Sequence, residues 1–323
     1  MCTAITFKTK QHYFGRNLDL EYHYDEKITI TPRNFPIKFR NEEAIKSHPA
    51  IIGMATICDN YPLYYDAMNE LGLAIAGLNF PGNACFLPQK EAYYNIASFE
   101  FILWILSKCK NVEDAINLLK STNITDEAFS DDFFPTPLHF MIADKKRSIT
   151  VEPLFSGLKI YENEIGVLTN NPTFDMQLFN LNNYINLSNA TPKQTFSKAF
   201  KGTIYSSGMG GLGLPGDLSS MSRFVRAAFT KQNSECLEDE NSSITQFFHI
   251  LSSVAFTRGT VKVNNSPEIT IYSSCLNQDR GIYYYTTYEN RQISSINLYS
   301  TDLSGANLVT FTPISKQSIK KQN

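Results

Sequence analysis

The chain has 323 residues, of which 42% are hydrophobic and 19% charged, so a sizeable core can form. Its 29 Lys and Arg residues nearly balance 31 Asp and Glu residues without forming a basic stripe, which argues against a nucleic-acid-binding protein. No segment approaches the roughly 18 apolar residues of a membrane span. Charges also interrupt the N-terminal segment, as they would not in a signal peptide, so we expect a cytoplasmic protein.

The first half of the chain begins with predicted strands and continues with predicted helices. Apolar segments at 2–7 and 12–16 flank a polar turn at 8–11, which predicts a hairpin. Further strands are predicted at 51–57, 63–68 and 71–76, with a turn at Asn69-Glu70 between the last two. Residues 93–106 are apolar on nearly every side, which predicts a buried helix. A second helix is predicted from the helical spacing of apolar residues at 112–119, behind an Asn111 cap.

In the second half, predicted strands are followed by predicted helices and then by further strands. The predicted strands are 138–143, 148–152, 158–161, 165–168, 268–276, 281–288 and 292–297. Between them lie two amphipathic helices, one around 221–228 and one around 244–251 that starts near Ser242 and Ser243. Strict β-α-β alternation is missing, which disfavours a parallel sheet. We therefore predict an α+β fold, a four-layer αββα sandwich of two antiparallel sheets flanked by helices, in one domain spanning residues 1–323.

Cys2 is the residue on which the functional hypothesis depends. A small second residue favours removal of Met1, which would leave a thiol and a free α-amine on the same residue. An α-amine has a pKa of about 7.7 to 8.0, so a neutral fraction is available to accept the thiol proton. One residue would then supply both nucleophile and base. By position alone, an incidental cysteine after the initiator is the better explanation.

Arg16 and Asp19 follow on the second strand of the predicted hairpin. That strand returns beside Cys2, so the Arg16 guanidinium is expected near the sulfur, where it favours thiolate. Asp19 is expected to orient the α-amine through a charge-assisted hydrogen bond. An ordinary surface ion pair would give the same sequence pattern, so these residues alone leave both interpretations open.

Motifs spread along the whole chain distinguish between these interpretations. They are Met1–Ile5, Phe14–Asp19, Met68–Leu73, Gly77–Pro81, Gly166–Phe174, Gly213–Asp217 and Ser222–Phe224. In this order they resemble the choloylglycine hydrolase family of the N-terminal-nucleophile hydrolase superfamily, which includes bile salt hydrolases and penicillin V acylases. The resemblance implies the superfamily's αββα fold and an amidase that uses an N-terminal cysteine.

The resemblance also implies a role for each matching residue. Cys2 matches the nucleophile, Asp19 the partner of its α-amine, and Arg16 and Arg223 the cations near the sulfur. Asn79 and Asn170 match the oxyanion-hole residues, the first through its main-chain N–H and the second through its side-chain amide. Without the resemblance, the two asparagines would be interpreted as turn residues and Arg223 as a solvated residue.

The substrate class follows from the same comparison. Bile salt hydrolases tend to have Asn where this chain has Asn79 and penicillin V acylases Tyr, so the sequence favours conjugated bile salts. The positions that match the family's substrate loops are Leu18, Cys58, Tyr65, Phe129, Phe133 and Thr136. Two of them lie in the segment 128–135, which is too polar for a core strand, so we expect exposed aromatic rings that suit a steroid face or pack under a loop.

Other patterns predict no additional chemistry. Gly208–Gly213 fits G-x-G-x-x-G, but without β-α-β alternation it is a weak match to a dinucleotide-binding loop. The five histidines have no metal-ligand spacing, and His139 and His249 lie in apolar segments typical of core residues. The remaining five cysteines are too scattered for a disulfide framework or a zinc site. We expect no metal and no cofactor.

The hypothesis is thus a bile salt hydrolase that cleaves glycine- and taurine-conjugated bile acids through a thioester on Cys2. One alternative is penicillin V acylase or another N-acyl amidase with the same mechanism. Another is a non-catalytic protein that binds steroids or lipids. The expected partner is a small-molecule substrate rather than nucleic acid or membrane. The resemblance implies a homo-oligomer, and specifically a tetramer.

Overall fold

The computed structural model describes residues 1–323 and contains 18 strands. In chain order they are β1 Cys2–Lys8, β2 His12–Leu20, β3 Lys27–Thr31, β4 Ile51–Cys58, β5 Tyr61–Asn69, β6 Ala74–Asn79, β7 Tyr94–Ala97, β8 Thr122–Thr125, β9 Leu138–Ala143, β10 Ser148–Leu154, β11 Gly157–Glu162, β12 Val167–Leu168, β13 Lys262–Val263, β14 Ser266–Pro267, β15 Ile269–Asn277, β16 Ile282–Thr287, β17 Ser294–Asn297 and β18 Val309–Phe311. Most carry β-branched and aromatic residues, which pack well on a pleated surface.

Five α-helices complete the fold: α1 Phe101–Lys108, α2 Val112–Leu119, α3 Phe174–Leu181, α4 Ser220–Gln232 and α5 Glu240–Ser252. Two begin at capping side chains, because Asn111 accepts from the Asp114 N–H and Asp239 from the Ser242 N–H. No helix is both long enough and apolar enough to cross a membrane.

The strands form two large antiparallel sheets. One has the order β12-β1-β2-β15-β16-β17, and the other β11-β10-β9-β6-β5-β4-β3-β18. In the first sheet β1 pairs with β2 so that Cys2 lies opposite Leu18. Close contact of β2 with β15 requires Gly15, since a Cβ there would lie 2.0 Å from the Ser274 carbonyl oxygen. Cys2 is therefore part of a strand with neighbours on both sides rather than part of a free tail.

Two hydrophobic clusters join the layers. A cluster of 39 buried residues joins the facing sides of the two sheets to helices α4 and α5. A second cluster of 24 residues packs α1 and α2 on the outer side of the eight-stranded sheet. Successive residues of β9 alternate between these clusters, with Met141 in the first and Phe140 in the second. This arrangement is the predicted αββα sandwich.

Most sequence-based elements are confirmed, and their errors have physical causes. The strand predicted at 71–76 is shifted, since β6 starts at Ala74 after a turn in which Gly72 has φ +90°. The helix predicted at 93–106 is wrong at its start, because Tyr94–Ala97 is a strand that pairs in parallel with β8. Helix α5 begins at Glu240, earlier than predicted. The sequence analysis also missed α3, whose few buried residues give it a weak apolar face.

Candidate active site

Cys2 is the first residue of β1 and only 3% exposed. Its side chain contributes to the wall of a cavity of about 440 Å³. Cys2 pairs with Leu18 of β2, and the strand is held on its other edge by β12 from Ala4 onwards. This position gives the thiol a defined geometry and access to the cavity.

Arg16 lies on β2 and is fully buried between the sheets. One terminal nitrogen of its guanidinium donates to Cys2 Sγ, and the other donates to the carbonyl oxygens of Tyr65 at 3.0 Å and Gly77 at 2.5 Å. Burial opposes the charge, but nearby Cys2, Tyr272 and Asp66 raise the pKa of Arg16 above its usual value. The sulfur therefore faces a permanent, fixed positive charge.

Asp19 is buried at the end of the same strand, and one of its carboxylate oxygens is unsatisfied. Oδ1 accepts from the Thr270 hydroxyl at 2.5 Å, whereas Oδ2 has no hydrogen-bond partner. Burial raises the pKa of the Asp19 carboxyl to about 6, although Arg223 and the N-terminal ammonium act to lower it. A buried carboxylate oxygen without a donor is costly and marks a place for a cation or an N–H group.

The α-ammonium of Met1 lies beside this carboxylate but is bound by other groups. It donates to the Asp19 carbonyl oxygen at 2.6 Å and to a carboxylate oxygen of Glu268, which is buried. The Asp19 N–H in turn donates to the Met1 carbonyl oxygen at 2.9 Å. Sequence reasoning missed Glu268, although an acidic residue directly before the apolar strand β15 was the available sign.

Arg223 joins helix α4 to the strand that carries Cys2. One terminal nitrogen of its buried guanidinium donates to the Cys2 carbonyl oxygen at 2.5 Å and to the Thr3 hydroxyl at 2.7 Å. The other donates to Asn170 Oδ1 at 2.7 Å. Burial lowers the pKa of Arg223, while Asp19 and Cys2 act in the opposite direction. Arg223 is therefore an internal residue that fixes β1 and Asn170, and not a solvated one.

Asn170 and Asn79 meet on the other side of Cys2. Asn170 Nδ2 donates to the Asn79 carbonyl oxygen at 2.7 Å, and Asn170 Oδ1 accepts from the Cys2 N–H at 3.0 Å. The Phe80 N–H bonds the Pro137 carbonyl oxygen, so alternation along this antiparallel pair directs the Asn79 N–H away from β9. The structure thus brings the two predicted oxyanion-hole residues together next to the sulfur.

The cavity beside Cys2 is mainly apolar, since 14 of its 21 lining residues are hydrophobic. Five of the six predicted substrate positions line it: Leu18, Tyr65, Phe129, Phe133 and Thr136. Cys58, the sixth, lies at the end of β4 and is not among the lining residues. Lining residues that the sequence analysis did not identify include Leu20, Tyr24, Leu63, Phe99, Phe134 and Leu138.

Aromatic residues from separate segments meet at the cavity wall. The Phe129 ring lies 5.2 Å from Phe99 and 6.2 Å from Phe133, both edge-on, and the Arg40 guanidinium lies over Phe129 at 5.9 Å. Phe129 and Phe133 are half-buried, whereas Phe134 is exposed. Edge-on aromatic pairs make a broad, rigid apolar surface. The rings of segment 128–135 thus pack against other aromatic rings and also line the cavity.

The glycine-rich sequence pattern lies outside this site. Gly208–Gly213 falls in an exposed loop with one short 3-10 helix, between α3 and α4, and not between a strand and a helix as a dinucleotide-binding loop requires.

Asp66 was missed, although an acid within the apolar strand β5 is unusual. Its carboxylate accepts from the Tyr272, Ser274 and Tyr283 hydroxyls between the sheets.

Acidification is expected to stabilise the form that retains Met1 relative to its Asp19→Asn variant. The folded carboxyl has a pKa of about 6, and an unfolded aspartate one of about 3.9, so the folded state binds this proton more tightly. Above pH 6 the Asp19 carboxyl is charged in the folded state, and its burial destabilises that state by the greatest amount. This destabilisation disappears as the pH falls to about 4. Over that range the free energy of unfolding of wild type should rise by on the order of 2 kcal/mol relative to that of the variant.

Urea unfolding at several pH values from 4 to 7 measures this difference, using protein from cells treated with a methionine aminopeptidase inhibitor. Mass spectrometry verifies that Met1 is retained. The exposed Asp131→Asn variant is the control, and its difference from wild type should change little with pH. A wild-type advantage over Asp19→Asn that stays constant across the range would contradict the prediction.

Comparison with known proteins places this site in a family. The sequence model described as "Linear amide C-N hydrolases, choloylglycine hydrolase family" matches residues 2–311. A bile salt hydrolase/transferase of Lactiplantibacillus plantarum is 51% identical over 312 residues, covering 96% of each chain. A second protein with that name, from Clostridium perfringens, is 40% identical over 318 residues and 96% of each chain.

Solved structures agree with the sequence comparison. The C2A mutant of conjugated bile acid hydrolase from Clostridium perfringens has a TM-score of 0.93, with 38% identity and full coverage of both chains. Penicillin V acylase from Agrobacterium tumefaciens has a TM-score of 0.75 at 19% identity, covering 96% of this chain and 91% of its own, and shares the fold. With the family model spanning almost its whole length, the chain belongs to the choloylglycine hydrolase family of linear amide C–N hydrolases.

Proposed function

We propose that this chain is a bile salt hydrolase that cleaves the amide bond between a bile acid and glycine or taurine, with Cys2 as nucleophile. The observation that supports it most directly is the buried contact of Cys2 Sγ with Arg16 at an apolar cavity of about 440 Å³. That volume is within the range of about 300–1,000 Å³ that small-molecule sites occupy. The similar proteins named bile salt hydrolase/transferase support the same substrate class.

Removal of Met1 is the first requirement of this mechanism. While Met1 is present, the nitrogen of Cys2 is a peptide N–H that donates to Asn170 and has no basic lone pair. Cleavage converts it to an amine close to Asp19, whose Oδ2 is otherwise without a donor. A hydrogen bond to this carboxylate would orient the amine towards its own thiol. The unsatisfied oxygen supports Asp19 as the partner of the mature N-terminus.

Acylation follows from this arrangement. The neutral amine takes the proton of the Cys2 thiol, and Arg16 stabilises the resulting thiolate. The sulfur attacks the amide carbon, and negative charge develops on the carbonyl oxygen. The Asn79 N–H and the Asn170 side-chain amide are the donors for that oxygen. Collapse of the tetrahedral intermediate breaks the C–N bond, and the Cys2 ammonium returns its proton to the departing amino group.

Deacylation uses the same groups in reverse. Water gives a proton to the Cys2 amine and attacks the thioester carbon, the same donors hold the oxyanion, and the bile acid leaves as the thiol is regenerated. An amine in place of water would form a new amide, which is acyl transfer. The word "transferase" in the names of similar proteins favours this second activity for the same thioester.

The cavity suits a steroid acid better than a small acyl group. Its walls are mainly apolar side chains, with edge-on aromatic rings on one side, and Arg16 and Asn79 line it together with Cys2. A rigid, wide hydrophobic body would bury much of its surface there, at about 25 cal/mol per Å² of apolar area. Leu18, Tyr65, Phe129, Phe133 and Thr136 are therefore proposed to contact the steroid, and Cys58 to act only through its neighbours.

A direct assay measures amino acid released from taurocholate and glycocholate by protein whose Met1 removal is verified by mass spectrometry. We expect release by wild type and loss of at least about 10⁴-fold in Cys2→Ala, because the nucleophile is gone. The buried Cys109→Ala, at the end of α1, is the matched control and should retain activity.

Parallel substrates separate the alternatives in that assay. A large preference for penicillin V would replace the bile-salt assignment with a penicillin V acylase. Binding of bile salts without turnover by correctly processed protein would indicate a steroid-binding protein. Native-rate cleavage by Cys2→Ala would overturn the mechanism itself.

Replacing Arg16 by Leu should slow alkylation of Cys2 by iodoacetamide about tenfold or more at pH 7. A guanidinium in contact with the sulfur stabilises its negative charge, and only the thiolate reacts. Mass spectrometry of the N-terminal peptide follows the reaction. The partly buried Arg226, which bonds the carbonyls of Pro215, Asp217 and Ser253, offers a control in Arg226→Leu. Equal alkylation rates in wild type and Arg16→Leu would refute this role.

Residues 1–323 are proposed to form one domain in a cytoplasmic enzyme. The eight-stranded sheet contributes residues to both hydrophobic clusters, so neither cluster is a separable unit. All six cysteines are free thiols, which suits a reducing compartment.

Self-association is proposed from an apolar segment on the surface, and the number of four copies from the family resemblance. Residues 185–214 contain no regular strand or long helix and expose large side chains, among them Ile185, Phe196, Phe200 and Tyr205. Phe196 is 87% exposed, and its ring centre lies 6.0 Å from that of Phe200, so the two rings form an apolar patch in solvent. A second copy of the chain is the proposed occupant, because such a patch on a monomer would favour aggregation.

Light scattering coupled to size-exclusion chromatography tests this assembly. Wild type should elute with the mass of four chains, and the double variant Phe196→Ser/Phe200→Ser with a smaller mass. Phe155→Ser is the matched control, since Phe155 is also 87% exposed but lies in the turn between β10 and β11. An unchanged mass in the double variant, or a monomeric wild type, would contradict the proposal.

A further inference from the structure

A fully buried acid–base pair lies behind the site, on two strands of the eight-stranded sheet. His139 on β9 and Glu152 on β10 are both 0% exposed. His139 Nδ1 lies 3.2 Å from Glu152 Oε1, and His139 Nε2 lies 3.0 Å from the Thr169 carbonyl oxygen. The mechanism above uses neither residue.

Both ring nitrogens of His139 therefore face acceptor atoms. A neutral imidazole has a single N–H and satisfies only one of them, whereas a doubly protonated ring satisfies both and pairs its charge with the Glu152 carboxylate. An imidazole and a carboxyl group that are both buried cost desolvation energy, whatever their charge. The contacts of this pair connect it to the candidate site.

The pair touches the residues next to both oxyanion donors. Thr169, whose carbonyl is bonded to the imidazole, directly precedes Asn170. The His139 ring stacks on Phe80 with 4.1 Å between ring centres and 8° between planes, and Phe80 directly follows Asn79. The His139 ring thus contacts the backbone of Thr169, next to Asn170, and the side chain of Phe80, next to Asn79.

Glu152 extends this connection to helix α3. Its Oε1 also accepts from the N–H of Phe174, the first residue of the helix, at 2.9 Å. From the same helix, buried Gln177 donates to the Asn170 carbonyl oxygen at 3.3 Å. The Asn170 segment is therefore attached at two points to one carboxylate and imidazole.

We propose that His139 and Glu152 are positioning residues for the oxyanion hole, holding Asn170 and the Asn79 N–H at the spacing that the developing oxyanion requires. This inference rests on the function proposed above. Misplacement of such donors by about 1 Å can cost about a hundredfold in rate without weakening ground-state binding. A pair that served only the stability of the core would affect all properties of the enzyme together.

The test uses His139→Gln and Glu152→Gln, which replace the imidazole or the carboxyl group by an uncharged amide of similar size. His48→Gln is the matched control, since His48 is also a buried histidine whose two ring nitrogens bond backbone carbonyls, here of Phe35 and Pro49. Each protein is assayed for kcat and KM with taurocholate, for acylation by p-nitrophenyl acetate, and for alkylation of Cys2 by iodoacetamide.

We expect kcat for taurocholate and the acylation rate to fall about tenfold to a hundredfold in both site variants, with KM changed less than about threefold. Alkylation, which forms no oxyanion, should stay within about twofold of wild type and also reports that the site is folded. His48→Gln should match wild type in all three measurements.

Unchanged kcat and acylation in the two variants would overturn the inference, as would a parallel loss of alkylation. Failure of the proposed function gives a different result, namely no turnover of taurocholate by wild type itself. In that case the ratio of nitrophenyl ester acylation to alkylation still decides the inference, because that ester also passes through a tetrahedral oxyanion at Cys2.

Discussion

A positive charge enclosed between two sheets is the constraint on which the rest of this structure depends. Arg16 has no access to solvent, and removing an ion from water costs several kcal/mol even after relaxation. That cost is offset only if its donors find acceptors, which they do on Cys2, Tyr65 and Gly77. The two sheets must therefore keep their spacing for the charge to remain stable, and the same spacing places the sulfur against the guanidinium.

Buried acids surround this cation and its counterpart Arg223. Asp66 is held by three hydroxyls between the sheets, and Asp19 lies near the N-terminus with one oxygen unsatisfied. Networks of this kind are stiff when satisfied and costly when incomplete. Asp19 is one incomplete member, and Glu268, which also has an unpaired carboxylate oxygen, is another. Both lie near the N-terminus, where the proposed removal of Met1 would convert the Cys2 nitrogen from an amide to an amine.

The charged groups near Cys2 and the apolar walls of the cavity occupy different parts of the candidate site. The guanidinium groups of Arg16 and Arg223 and the Asn170 amide are concentrated around Cys2, where the proposed reaction breaks the amide bond, whereas the walls of the cavity are mainly hydrocarbon and aromatic rings. Electrostatic groups act most strongly where water is excluded, and apolar walls contribute affinity by shape and area without competing for hydrogen bonds. Substrate choice within the family can therefore vary with the walls while the chemistry at Cys2 stays the same.

The local sequence pattern predicted most strands, α2 with its Asn111 cap, and the order of the layers. Such a prediction is possible because strand and helix periodicity depend on near neighbours. The motifs also indicated the family and which residues to examine. Tyr94–Ala97 was misassigned because its partner strand lies far along the chain, and nothing local records that pairing. The same reason applies to Glu268, Asp66 and the His139–Glu152 pair. Their roles come from contacts between residues distant in sequence, which exist only once the two sheets have packed together.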